Sequence, residues 1–142
     1  DLDLADHVTM PGARPRSEIL NAYQEADVFA LTPFVTEDGD RDGMPNVIIE
    51  AMASVVPVVT TAAGGIPELV THGITGLVVK PHDVAGIVAS IAHLLDDAAV
   101  RARLGAAGRI SVEQQFDQRR TAGEMATLLG VTGKEELCPV PI

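Results

Sequence analysis

Apolar positions in this chain switch between short continuous runs and helical spacing, which predicts alternating strands and helices. Residues 7–10 read as a short strand stopped by Pro11-Gly12. Residues 15–26 read as a helix, because Ile19, Leu20 and Tyr23 fall on one face at helical spacing. Val28-Phe29-Ala30-Leu31-Thr32 is a largely apolar run closed by Pro33, the pattern of a strand buried on both faces.

Residues 34–42 form an acidic loop that holds Glu37, Asp38, Asp40 and Asp42 around Gly39 and Arg41. A helix then starts near Met44. Pro45 has φ preset near the helical value and no N–H to leave unpaired, which suits the first helical position, and the flexible Gly43 precedes it. Val47, Ile48, Ala51, Met52 and Val55 share the apolar stripe of this helix. Glu50 falls outside the stripe, beside Asn46 and Ser54.

Strands at 56–60 and 76–80 flank the Gly64-Gly65 turn and a short helix at 67–71. Asp83 is placed to cap a helix that runs to about Leu95 through Ile87, Ile91 and Leu94. Helices at 98–115 and 117–129 follow, and 131–142 reads as a loose tail. About four strands alternating with helices predict an α/β fold, a partial Rossmann-like doubly wound parallel sheet over residues 1–130.

Composition narrows the function. The 142 residues are 46% hydrophobic but include no Trp, one Tyr and three Phe, so the core is built from aliphatic side chains, as suits a parallel sheet under helices. A formal charge of -10 argues against nucleic acid as a partner, since phosphate backbones require clustered Lys and Arg, and it disfavours an anionic membrane surface. Cys138 stands alone, which excludes an intrachain disulfide and fits a reducing, cytoplasmic setting. No apolar run reaches membrane-spanning length, and no basic segment followed by an apolar one marks a signal peptide.

The candidate chemistry lies where Asp42 and Glu50 stand eight apart across a helix start. Free amides at Gly43, Met44, Asn46 and Val47, with Pro45 among them supplying no N–H, and the positive dipole end of the helix suit a diphosphate. Ionised carboxylates repel phosphate but accept hydrogen bonds from a diol such as a ribose or a pyranose. The order of acid, helix start and acid therefore matches sugar, phosphate and ribose. Glu50 equally fits a solvated acid in the first turns of a helix, and Asp42 a loop acid beside a helix N-terminus.

The segment Asp42-Gly43-Met44-Pro45-Asn46-Val47-Ile48-Ile49-Glu50 resembles the Glu-x7-Glu signature of retaining GT-B glycosyltransferases, family 4-like. Pro57-Val58-Val59-Thr60-Thr61, Gly64-Gly65-Ile66-Pro67-Glu68-Leu69-Val70 and Gly73-Ile74-Thr75-Gly76-Leu77-Val78-Val79 follow in that family's order and spacing, so the resemblance covers roughly residues 8 to 129. It implies that Asp42 contacts the donor hexose and Glu50 the ribose. Asp42 is one methylene shorter than the usual Glu, which leaves its sugar contact less secure than the Glu50 contact. Gly64 and Gly65 are implied to line the cleft, with Glu68 a weaker candidate.

What the resemblance implies is a donor-binding part of an enzyme that moves a hexose from a nucleotide diphosphate sugar to a glycan or lipid acceptor with retained configuration. No cofactor beyond the donor, and no metal, is implied; the acidic loop lacks an EF-hand pattern. His7, His72, His82 and His93 have no ligand spacing and read as structural or surface groups. Position 1 is Asp, and the resemblance starts in mid-domain. The expectation is therefore a fragment whose first two βα units, diphosphate-neutralising Arg and Lys, and acceptor-binding N-terminal half lie upstream. Such a piece is expected to be inactive alone, and membrane contact is expected to run through other segments.

Three rivals remain. A non-catalytic nucleotide-sugar-binding or regulatory module is one. A receiver-like phosphoacceptor finds a Lys in Lys80 but lacks the acid placement, and a nucleotide-sugar epimerase is opposed by the motifs after Pro57.

Overall fold

The computed structural model describes residues 4–36 and 43–130. In chain order its elements are α1 (Arg16–Glu25), β1 (Phe29–Leu31), α2 (Asn46–Ala53), β2 (Val58–Thr61), α3 (Ile66–Leu69), β3 (Leu77–Val79), α4 (Val84–Asp96), α5 (Ala98–Gln115) and α6 (Gln118–Leu128). The strands form one parallel sheet in the order β1-β2-β3, with Phe29 opposite Val58 and Val59 opposite Leu77. The α/β architecture with a Rossmann-like parallel sheet stands.

Alternation along β2 sends its side chains into two cores. On one face Val58 packs with Ile48, Ala51 and Met52 of α2, Ile66 and Leu69 of α3, Tyr23 of α1 and Val112 of α5. On the other, Val59 packs with Leu77, Leu94 of α4 and Leu104 of α5. Ile48 and Met52 are fully buried, and burial of each contributes about 1.5–3 kcal/mol. Helices thus cover both sheet faces, and α5 joins them by packing on α2 and α4.

Close packing there depends on glycine. A Cβ on Gly105 would collide with the carbonyl of Val55, and one on Gly108 would sit 3.2 Å from the carbonyl oxygen of Thr75. Val55 itself takes φ 65, in the left-handed region that a β-branched residue rarely adopts.

The α4–α5 corner is fixed by charge and capping. Asp83 accepts from the Gly86 amide at 2.8 Å and starts α4, as its sequence position predicts. Asp97 accepts from the amides of Ala99 and Val100 at 3.0 Å and starts α5. Arg101 reaches back to the last carbonyls of α4, donating to Leu94 at 2.6 Å and Leu95 at 2.7 Å.

Five expectations need correction. Residues 7–10 are not a strand: the amides of His7 and Val8 close a local turn on the Leu4 carbonyl, and no described strand lies alongside to pair with them. The sheet has three described strands rather than about four. β1 is not buried on both faces; among the described residues it pairs with β2 alone, and α4 sits over β2 and β3 and leaves Ala30 exposed. Pro45 is the N-cap of α2 and not its first helical residue, because its φ of -66 is helical but its ψ of 115 is extended. Val47 and Val55 lie outside the buried stripe, at 41% and 49% exposure, since Val47 sits in the open first turn and Val55 beyond the end of α2.

Among the described residues no helix is long and apolar enough to cross a membrane. Cys138 and the 131–142 tail lie outside the described residues.

Candidate functional site

Parallel strands place the loops after β1 and β2 at the same carboxyl edge of the sheet, where open α/β sheets bind ligands. The Thr61 hydroxyl donates to the Pro33 carbonyl and ties the end of β2 to the loop that leaves β1. Further along, the Gly65 amide donates to the Gly43 carbonyl at 2.9 Å. The two segments singled out in the sequence, 43–47 and 64–65, are therefore in direct contact.

That contact explains the glycine pair. Gly64 turns with φ 55. A Cβ on Gly65 would lie 3.2 Å from the Gly43 oxygen and 3.7 Å from the Met44 Cβ. The pair is needed for the turn and for close backbone approach.

Pro45 brings no side chain that caps α2. The Ile48 amide bonds back to the Pro45 carbonyl at 3.1 Å, and the amides of Asn46 and Val47 stand at the helix start, where no intrahelical acceptor exists. Asn46 is exposed and Met44 half-buried against the core. An anion approaching this end meets amide donors and the positive end of the helix dipole.

One turn later the Glu50 side chain is 32% exposed. It does not hang free in water. Its Oε2 accepts from the Tyr23 hydroxyl at 3.5 Å, and its Oε1 faces Arg16 Nη1 at 3.5 Å. Both partners come from α1. Tyr23 is buried, and the one hydrogen of its hydroxyl is shared with the Val47 carbonyl, which lies nearer, at 3.3 Å. Burial, then the Glu50 charge and its hydrogen bond, push the Tyr23 phenol above its ordinary pKa. An ionised carboxylate has about four lone-pair sites, so Tyr23 and Arg16 leave acceptor capacity for a further donor.

Sequence reasoning missed Tyr23 and Arg16. One signal was available: Tyr23 is the single tyrosine of the chain and lies on an apolar helix face, and a buried phenol needs a hydrogen-bond partner.

Glu68 is exposed in the short α3, and among the described residues no hydrogen bond or ion pair holds its carboxylate. Asp42 and the acidic loop of Glu37, Asp38, Gly39, Asp40 and Arg41 lie outside the described residues. His72 is a structural group, its Nδ1 accepting from the Val78 amide at 3.0 Å. The His82 ring lies against Phe34 with centroids 4.7 Å apart.

Comparison with known proteins adds to this geometry. The sequence profile of the family described as Glycosyl transferases group 1 matches residues 1–111. The chain is 35% identical over 129 residues to the amylovoran biosynthesis glycosyltransferase AmsK of Erwinia amylovora, covering 91% of this chain and 32% of that protein. It is 38% identical over 130 residues to a GDP-mannose-dependent alpha-(1-6)-phosphatidylinositol monomannoside mannosyltransferase of Mycobacterium tuberculosis, covering 91% of this chain and 34% of that one. Among solved structures, Anabaena Alr3699/HepE in complex with UDP and glucose superposes with a TM-score of 0.78 at 26% identity, covering 90% of this chain and 33% of that chain. The chain thus spans about a third of the length of these relatives.

Proposed function

The chain belongs to the glycosyl transferases group 1 family, and from that premise we propose that it is the nucleotide-sugar-binding part of a retaining glycosyltransferase. The whole enzyme moves a hexose from a nucleotide diphosphate sugar to a glycan or lipid acceptor in the cytoplasm. The observation that carries this reading is Glu50, a one-third-exposed carboxylate with spare acceptor capacity, one turn inside a helix whose start no side chain caps. Ribose hydroxyls donate to Glu50, and diphosphate or sugar oxygens take the amides between Gly43 and Val47.

Asp42 is assigned to orient the donor sugar. Gly64 and Gly65 are assigned to wall the cleft, Gly65 through its contact with Gly43, and Glu68 is a weaker contributor. Charge that develops on the leaving diphosphate is stabilised by fixed donors, while the phosphate helps to deprotonate the acceptor. Acceptor binding and membrane contact belong to parts of the enzyme other than this chain, which by itself binds donor without turnover.

Two relatives support a nucleotide-sugar donor: one is described as GDP-mannose-dependent, and the other was solved with UDP and glucose. The test is calorimetric titration with UDP, GDP and ADP and their glucose and mannose esters. Saturable binding of one nucleotide, weakened at least about tenfold in Glu50→Ala, is expected. Equal binding by Glu50→Ala would sink the assignment.

A further inference from the structure

We infer that Tyr23 is a positioning residue that fixes the Glu50 carboxylate for ribose recognition and so sets discrimination between ribonucleotide and deoxyribonucleotide donors. This rests on the reading of Glu50 as the ribose acceptor.

The two partners of Glu50 are unequal. Arg16 is 78% exposed, so water competes for its guanidinium and its side chain keeps its rotamer freedom. Tyr23 is 7% exposed, with its ring packed against Phe29 at a centroid distance of 5.8 Å and an interplanar angle of 59°. That ring has one place for its hydroxyl. The hydroxyl has one hydrogen, shared between the Val47 carbonyl at 3.3 Å and Glu50 Oε2 at 3.5 Å, so one group on α1 touches both the first turn of α2 and the acid that follows it, and a Glu50 carboxylate drawn in by a bound diol competes for that hydrogen.

A glutamate side chain on a helix surface has three rotatable torsions, and a diol-binding carboxylate must hold one orientation to accept from two hydroxyls. An already ordered acid binds more tightly because less rotamer freedom is lost on binding. A phenol of ordinary pKa, about 10, is already protonated and able to donate across the physiological range, and burial beside Glu50 shifts it further the same way.

The test uses the full chain, its Tyr23→Phe and Glu50→Gln variants and the double variant. Tyr23→Phe retains the ring against Phe29 and removes only the hydroxyl, and its melting curve checks that the fold persists. Calorimetry reads affinity for UDP and GDP and for their 2′,3′-dideoxy counterparts. The expected result is a loss of about five- to tenfold for the ribonucleotide in Tyr23→Phe. The dideoxynucleotide should change by less than about twofold, and the hydroxyl should have no further effect in the Glu50→Gln background.

Ribonucleotide binding that survives in Tyr23→Phe but is lost in Glu50→Gln would overturn the positioning role alone. Equal losses for ribo- and dideoxynucleotides would overturn it too, by marking a general structural defect. Absence of binding to the unsubstituted chain, or indifference to Glu50→Gln, would overturn the ribose reading and the inference with it.

Discussion

The amide of Gly65 donates to the carbonyl of Gly43 at 2.9 Å, which locks the turn after β2 onto the loop that delivers the first turn of α2. Gly65 has an ordinary φ of -83, so alanine there is strained only by the 3.2 Å approach to the Gly43 oxygen. Gly65→Ala is expected to cost less than about 1 kcal/mol of stability yet to weaken nucleotide binding about threefold or more, because the amides of 43–47 must shift. Gly64→Ala, at φ 55, should cost about 1 kcal/mol of stability. Paired denaturation and calorimetry separate the two effects.

The α2–α5 contact predicts opposite signs at neighbouring positions. A Cβ on Gly105 meets the Val55 backbone, which cannot rotate away. Gly105→Ala should destabilise by about 2–3 kcal/mol. Val55→Gly relieves the left-handed strain at φ 65, and after the entropy cost of glycine in the unfolded chain a gain of about 0.5–1 kcal/mol is expected. Urea midpoints at constant m-value check both.

Adjacent threonines in β2 should also diverge. The Thr60 hydroxyl is buried with no hydrogen-bond partner among the described residues, so Thr60→Val is expected to stabilise by about 1–2 kcal/mol. Thr61 donates to the Pro33 carbonyl, so Thr61→Val should destabilise by about 1 kcal/mol. Equal effects in thermal melts would contradict the assigned hydrogen bonding.

Tyr23 makes stability depend on pH at the alkaline end. Its folded pKa is raised, by burial first and by Glu50 second, so the folded state holds the phenol proton more tightly than the unfolded chain. The contribution is complete below the unfolded value of about 10 and is lost as pH rises through the folded value. Denaturation midpoints from neutral to strongly alkaline pH should fall more steeply for the native chain than for Tyr23→Phe. With one Tyr and no Trp in the sequence, near-ultraviolet absorbance reports this phenol alone. Its titration should move down toward the ordinary value in Glu50→Gln.

Legibility in the sequence tracked distance along the chain. α5 occupies 98–115 as expected, and Asp83 caps α4 as its position predicts, because a helix run and its cap are written within a few turns of local sequence. Glu50 falls outside the buried stripe as the helical wheel places it. Its partner Tyr23, 27 residues earlier, was not legible. Neither was the Gly43–Gly65 contact, since nothing local encodes which loops meet. The exposure of Ala30 is not written locally either: a strand's burial is decided by the helix above it, and α4 lies over β2 and β3.

β2 is hydrogen-bonded on both sides and buried along its whole length, whereas among the described residues β1 and β3 each have one partner strand. Its backbone amides open to solvent only when both flanking ladders and both cores part together. Deuterium should therefore enter residues 58–61 last, at a rate set by global unfolding, while the exposed α6 exchanges early through fraying. The centre strand is in that sense the slow clock of the domain, and its exchange rate reads the free energy that keeps the carboxyl edge of the sheet in place.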